Sequence, residues 1–313
     1  MFTLAHLSDL HATPIPLRLV PSMSFKQTLG WLKWTLQRSK EHRPEVLDAL
    51  VADLQTAQPD HVVVTGDLTN LGMEVEFPAA TAWLQRLGGP QQVSIVPGNH
   101  DTYTFSSPSV LWTHWMDYLR SDAQEKATLQ ATNLPDIEPL QDFPTLRIRG
   151  PVALIGVSSA QPTNLFSANG SVGKTQLKRL EHLLHSLAES GLCRVVLIHH
   201  PLSKEGIAPR RRLSDAQAVQ EVLQRAGADL ILHGHTHRTS VATVPGRDNA
   251  IPVIGVRSSS AVGHRPYKRA RYHLYRIEQL NPPQDRRRFR ITMATRGYDD
   301  TQGNFQHTKE RVL

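Results

Sequence analysis

The chain of 313 residues has one cysteine, Cys193. No disulfide can form within it, so a small disulfide-stapled scaffold is excluded and a buried core must hold the fold. A lone cysteine also fits a reducing cytoplasm, and that location is expected. No stretch approaches the ~20 apolar residues that span a bilayer. The first ten residues lack a basic start and already carry Asp9, so they read as mature protein rather than as a signal peptide. Acidic residues are in deficit. There are 28 Asp and Glu against 35 Lys and Arg, a net charge of +7. The excess fits an anionic substrate, a basic surface, or solvated runs such as the arginines at 210–212 and 286–288. No extended basic stripe interleaved with aromatics is present, which argues against a nucleic-acid partner.

What is present is a repeating apolar pattern. Residues 2–8, 61–65, 92–96, 152–157, 194–198 and 230–232 read as short buried strands. Residues 45–58, 173–190 and 215–225 read as amphipathic helices. From residue 240 onward short strands alternate with no clear helix. The expected architecture is α/β: two mixed β-sheets packed face to face with helices outside, in one domain spanning 1–313. Two segments interrupt the pattern, 13–44 and 102–140. Both contain tryptophan, both follow a strand-end loop, and together they are expected to form a cap.

Polar residues gather where the strands end. The order along the chain is Asp9-Leu10-His11, Gly66-Asp67, Gly98-Asn99-His100-Asp101, His199-His200 and Gly234-His235-Thr236-His237. Ligands of open α/β sheets bind at the carboxyl ends of strands, so these distant segments can converge. Asp-x-His and His-x-His put two donors on one side of an extended segment. Carboxylate, carboxamide and imidazole together suit manganese, iron and zinc. A lone Asp-x-His means little. Five such pieces in sequence, each closing an apolar strand, point to a two-metal centre.

This order resembles the calcineurin-like metallophosphoesterase superfamily over Asp9 to His237. The resemblance implies an αββα sandwich and two divalent ions, manganese first, with iron or zinc as alternatives. It implies one ion held by Asp9, His11, Asp67 and His237, and the other by Asp67, Asn99, His199 and His235. His200 is then a neighbour of the ligand His199. A water between the ions, activated as hydroxide, would attack phosphorus in line. His100 would stabilise the developing charge or protonate the leaving oxygen. Asp101 either orients His100 or is a turn residue.

The substrate is less sharply written. The phosphoprotein phosphatase signature is absent, since Asn70 and Asp101 stand where that branch has aspartate and glutamate. Bacterial cyclic-nucleotide phosphodiesterases carry an arginine where this chain has Tyr103. In the first insert, a helix over 24–40 would put Phe25, Leu29, Leu32 and Leu36 on one stripe, expected to pack on the body. Trp31, Trp34 and Arg38 would fall on the other side. That second face suits a membrane interface. It could equally be buried under the second insert by Trp112 and Trp115. A basic insert with tryptophans is similar to a divergent branch of the UDP-2,3-diacylglucosamine hydrolases of lipid A synthesis. This resemblance implies a lipid-linked nucleotide as substrate and peripheral contact with the anionic inner membrane face. A cyclic-nucleotide or general phosphodiesterase is the alternative; a nuclease or a non-catalytic scaffold fits less well.

Overall fold

The computed structural model describes residues 1–11, 13, 15, 23–36, 38–122, 142–284 and 287–313. Parts of both inserts, 16–22 and 123–140, lie outside the described residues, as does Arg286. Two six-stranded sheets form the centre. The first contains β1 (Phe2–Leu7), β2 (His61–Val64) and β3 (Val93–Ile95), all parallel, continued by antiparallel β10 (Arg271–Gln284), β11 (Arg287–Asp299) and β12 (Asn304–Val312). The second holds parallel β5 (Val152–Val157), β6 (Cys193–Ile198), β7 (Leu230–His233) and β9 (Ile251–Gly255). Its edges are the antiparallel β4 (Thr145–Arg149) and β8 (Ser240–Val244). This is the expected pair of mixed sheets. The strands after residue 270 are longer than expected, because β10 and β11 run on as an antiparallel ribbon.

Alternation along β5 shows how the layers form. Leu154 joins the core between the sheets, while Ile155 and Val157 face the outer helices. Both faces are covered, so the strand reads as an unbroken apolar run. The outer layer of this sheet is α5 (Lys174–Ser186) and α6 (Ala216–Ala226), whose leucines and valines at helical spacing close the second core. On the other side, α2 (Pro44–Ala57), α3 (Glu76–Leu87) and α4 (Ser107–Leu119) cover the first sheet. Helix α4 comes from the second insert. Its Trp115 is fully buried against Phe77 and donates to the Thr81 hydroxyl, so it belongs to the core rather than to a cap.

The first insert forms α1 (Phe25–Leu36) and a 3-10 turn (Arg38–Lys40). The aliphatic stripe of α1 does not pack on the body as expected, with Leu29 alone of the four half-buried, and the indoles take the buried alternative. Phe25, Leu32 and Leu36 are 70%, 49% and 65% exposed. Trp31 and Trp34 pack inward with Met23 and Tyr103 against Ile15, Leu71 and Met73. Trp112 packs on the central core instead of covering these indoles. The reason is steric. A side chain at Gly30 would come within 2.5 Å of Leu71 Cδ2 and 2.7 Å of the Tyr103 hydroxyl. The helix therefore seats on its glycine side, and the flat indoles next to that glycine go in with it.

Candidate metal centre

The parallel strands of both sheets end at one edge, and the polar segments leave from there. Asp9 and His11 follow β1, Asp67 follows β2, Asn99 and His100 follow β3, His199 follows β6, and His235 and His237 follow β7. Their backbones are hydrogen-bonded to one another. Asp9 N–H donates to the Gly66 carbonyl at 2.9 Å, His11 N–H to that of Asp67 at 3.2 Å, and Gly234 N–H to that of His199 at 3.1 Å. Five non-glycine residues here lie in the left-handed region: Asp9, His11, Asp67, His235 and His237. Such conformations cost ~1–3 kcal/mol each and persist where the surroundings enforce them. Every one of them is an expected ligand. A Cβ on Gly98 would collide with the Asp67 carboxylate, so only glycine lets these loops close this tightly.

The donor atoms form three overlapping groups: Asp9, His11 and His237; His11, Asp67 and His100; and Asp67, His199 and His235. Asp67 connects the last two. Its Oδ1 accepts the His100 N–H at 2.7 Å, while its Oδ2 lies 3.7 Å from His11 Nε2 and 3.4 Å from His199 Nε2. Asn99 Oδ1 is 3.1 Å from His199 Nε2 and 2.8 Å from His235 Nδ1.

The far nitrogens of the imidazoles are anchored. His11 Nδ1 is bonded to the Thr69 carbonyl at 2.8 Å, His199 Nδ1 to that of Thr65 at 2.6 Å, and His235 Nε2 to that of Arg211 at 2.9 Å. A carbonyl partner must receive a proton, so the other nitrogen of each ring, in its neutral form, carries a lone pair facing the centre.

Charge makes the same demand. Asp9 Oδ1 is buried with no hydrogen-bond partner among the described residues and lies 3.1 Å from His237 Nε2. Burial alone would push His199 down, but the Asp67 carboxylate outweighs it and lifts the imidazole to about 9. This pair favours a positive charge between its atoms, which a divalent cation can supply. The donor set fits metal ions in chemistry and in orientation.

Of the two readings open for Asp101, the structure supports the loop residue and not the partner of His100. The Asp101 carboxylate does not touch His100. It accepts backbone N–H bonds from Asp67, Leu68, Thr69 and Gly98 at 2.8–2.9 Å, plus the Thr69 hydroxyl at 3.1 Å. It therefore shapes the loop that presents Asp67, although burial and then the Asp67 charge raise it to about 7. His100 is oriented by the Asn70 carbonyl at Nδ1, while its Nε2 lies 3.1 Å from Arg38. Burial, then the Arg38 charge, lowers His100 to about 4. It stands in the free protein as a neutral acceptor toward Arg38.

Arg38, expected to face outward with the tryptophans, turns inward as they do. Its guanidinium reaches into the centre, 3.1 Å from His100 Nε2 and 3.2 Å from His11 Nε2. Over the centre lies a cavity of about 580 Å³. One stripe of α1 lines it, with Lys26, Leu29, Gly30 and Lys33 at helical spacing. Arg210 and Arg211 line it from the 3-10 turn (Pro209–Arg211), so part of the arginine run is at the site. Arg211 also donates to the His235 carbonyl at 3.0 Å.

Three residues here carry no motif signal. Glu76 is a buried carboxylate at the start of α3 that accepts the N–H groups of Asn70, Leu71 and Met73 at 2.7–3.1 Å. His42 and Ser260 meet beside His11. A first-turn glutamate and a histidine before a helix are common, so only the folded contacts distinguish them.

Comparison with solved structures agrees on the fold. A dimetal phosphatase from Danio rerio is 14% identical, with a TM-score of 0.60, over 100% of this chain and 98% of that one. A purple acid phosphatase from yellow lupin is 12% identical, with a TM-score of 0.55, over 99% of this chain and 53% of that one. No curated protein matches the chain by sequence. The family model for calcineurin-like phosphoesterases matches residues 2–239. Because that match takes in every strand-end loop from Asp9 to His237, the chain is a member of the calcineurin-like phosphoesterase family and a metal-dependent phosphoester hydrolase.

Proposed function

We propose that the chain binds two divalent ions and hydrolyses a phosphodiester or pyrophosphate bond in an amphiphilic, lipid-linked nucleotide of the UDP-diacylglucosamine type, presented at an anionic membrane surface. One ion takes Asp9, His11, Asp67 and His237; the other takes Asp67, Asn99, His199 and His235. Manganese is the proposed metal, and iron or zinc would also suit this mixture of oxygen and nitrogen donors. When bound, the ions supply Lewis acidity that activates water and offsets phosphoryl charge.

The chain's own residues do the rest. Arg38 pairs with the phosphoryl oxygens, a charge-assisted contact. His100 takes up a second proton from solvent at Nε2 as the phosphate charge arrives and passes it to the leaving oxygen, while the attacking water's proton goes to solvent. Asp101 and Glu76 keep the loops between Asp67 and Met73 in shape through backbone amides.

The observation that carries the substrate class is the outer face of α1. Phe25, Leu32 and Leu36 project into solvent while the same helix lines the cavity. Phe166, 74% exposed, lies on the cavity rim, and Lys33, Arg210 and Arg211 border the same opening. Apolar side chains beside cations match a surface of acyl chains and anionic head groups. No helix among the described residues is long and apolar enough to cross a membrane.

The test is a hydrolysis panel with Mn²⁺ comparing UDP-diacylglucosamine, cyclic AMP, an aryl phosphodiester and single-stranded DNA. Preference for the acylated substrate is expected, with co-sedimentation on phosphatidylglycerol vesicles that is lost on replacing Phe25, Leu32 and Leu36 by serine. Faster turnover of cyclic AMP than of the acylated substrate would overturn the lipid assignment and leave a phosphodiesterase.

A further inference from the structure

His42 is a buried histidine outside all five motif segments. It lies between the 3-10 turn and α2, and the chain around it is tied to the loop after β9. His42 pairs with Ala261 in an isolated bridge, Arg43 N–H donates to the Ser260 carbonyl at 3.0 Å, and Val262 N–H donates to that of Glu41 at 2.9 Å. The imidazole is thus held from two sides of the fold.

Its hydrogen bonds among the described residues are both at Nδ1. Ser260 Oγ is 2.8 Å away and Ser258 Oγ 3.3 Å. Ser258 in turn donates to the Asp9 carbonyl at 2.7 Å, so the serine pair links His42 to the first strand-end loop. With Nδ1 held there, Nε2 is the nitrogen left for a ligand, and the side chain lines the cavity.

The ring stands edge-on to His11 at 4.8 Å between centroids and T-shaped to His237 at 5.8 Å. These are the two imidazoles proposed for the first ion. His42 is nevertheless absent from all three donor groups that could hold a metal. It is placed beside the ion's position rather than within its donor set. His100 flanks the same His11 ring at 4.9 Å, and the Arg38 guanidinium approaches both His100 and His11.

We propose that His42 is a further substrate-contacting residue, with Nε2 hydrogen-bonded to the phosphoryl group beside the first ion. It and Arg38 come from the same insert, so the segment that supplies the cavity wall also supplies two contacts to the reacting group. The serine pair Ser258–Ser260 positions the ring. This rests on the two-metal reading of the centre but not on the identity of the lipid.

The experiment compares His42→Ala, His42→Gln and Ser260→Ala with the unaltered protein, each loaded with Mn²⁺. The substrate is bis(4-nitrophenyl) phosphate, and orthovanadate is the inhibitory probe. For His42→Ala, two ions per chain should remain by elemental analysis, with kcat/KM down roughly 10–100-fold and orthovanadate inhibition weakened by a similar factor. Gln can return a donor to that place, so His42→Gln should recover part of both losses. Ser260→Ala should lose less, in the same direction, and it keeps the proposal testable if His42→Ala does not fold.

Loss of an ion from His42→Ala or His42→Gln would overturn the proposal and make His42 part of the metal shell. Unchanged kinetics and unchanged vanadate inhibition in the His42 variants would also overturn it. So would an activity loss in Ser260→Ala with vanadate inhibition intact. If the unaltered protein binds two ions but hydrolyses no phosphoester, the proposed function fails instead, and vanadate binding alone then reads the contact.

Discussion

The strand-end loops and the first insert face the same cavity but are held in different ways. The loops are fixed by buried hydrogen bonds. Asp101 alone gathers four backbone amides, Glu76 gathers three more, and five residues of the strand-end loops hold left-handed backbone. Helix α1 of the insert is held by a small apolar contact around Leu71 and Met73 and a few long polar side chains, while backbone bonds tie down the Glu41–Arg43 stretch after it. Lys26 is one of these side chains. Its ammonium group reaches the Tyr103 carbonyl at 2.9 Å and the Thr163 carbonyl at 2.8 Å, and burial lowers it to about 8. A reactive centre needs fixed donors, whereas a wall that admits a bulky substrate can rest on fewer contacts.

Removing the residue proposed to be shared by the two ions should break the rigid side most severely. Asp67→Ala should lower hydrolysis by on the order of 10³-fold or more and release most of the metal, as read by elemental analysis. Full activity with two ions retained would refute the proposed donor set.

His100→Ala should keep both ions and lose roughly 10²–10⁴-fold in rate. The loss should be smaller for a nitrophenyl ester, whose leaving oxygen needs no proton, than for an alkyl ester. Equal losses would remove the proton-donor role, and loss of an ion would give weight to the donor group that joins His100 to His11 and Asp67.

Asp101→Ala tests the loop scaffold rather than the chemistry. It strands several buried amides, and roughly 3–5 kcal/mol of stability should be lost, measured by denaturant unfolding. A folded, equally stable variant with a selective activity loss would return Asp101 to a catalytic role.

The insert should respond more mildly. Arg38→Ala should raise KM and lower kcat/KM by ~10–100-fold with metal content unchanged, as expected for one charge-assisted contact. Replacing Trp31 and Trp34 together by alanine should cost ~1–3 kcal/mol of stability, because the indoles pack inward. The Phe25, Leu32 and Leu36 serine variant should leave stability within ~0.5 kcal/mol, since those side chains are exposed, and should affect vesicle binding alone. If the stripe variant unfolds while the tryptophan variant does not, the orientation of α1 described above is wrong.

The pair of mixed sheets was legible because buried parallel strands are written as short apolar runs, such as 194–198, and because the polar residues that follow them come at fixed short spacings. The orientation of α1 was not legible. Helical periodicity sorts Phe25, Leu32 and Leu36 from Trp31, Trp34 and Arg38, but it does not say which set faces the body. The close approach of Gly30 to Leu71 and Tyr103 decides that. Asp101 shows the same limit. Its place next to His100 in sequence suggested a partner, yet its carboxylate turns to amides more than thirty residues away.

Local order thus determined most of the strands, the helices α2, α5 and α6 and the candidate donors at the strand ends, since each depends on residues a few positions apart; β4, α3 and α4 were not read from it. Which side of α1 is wet, how Arg38 and His42 enter the centre, and what Asp101 and Glu76 hold depend on contacts between segments tens to hundreds of residues apart. Those contacts exist only once the two sheets have brought their carboxyl edges together, because the desolvated amides, carboxylates and imidazoles there must find partners in each other.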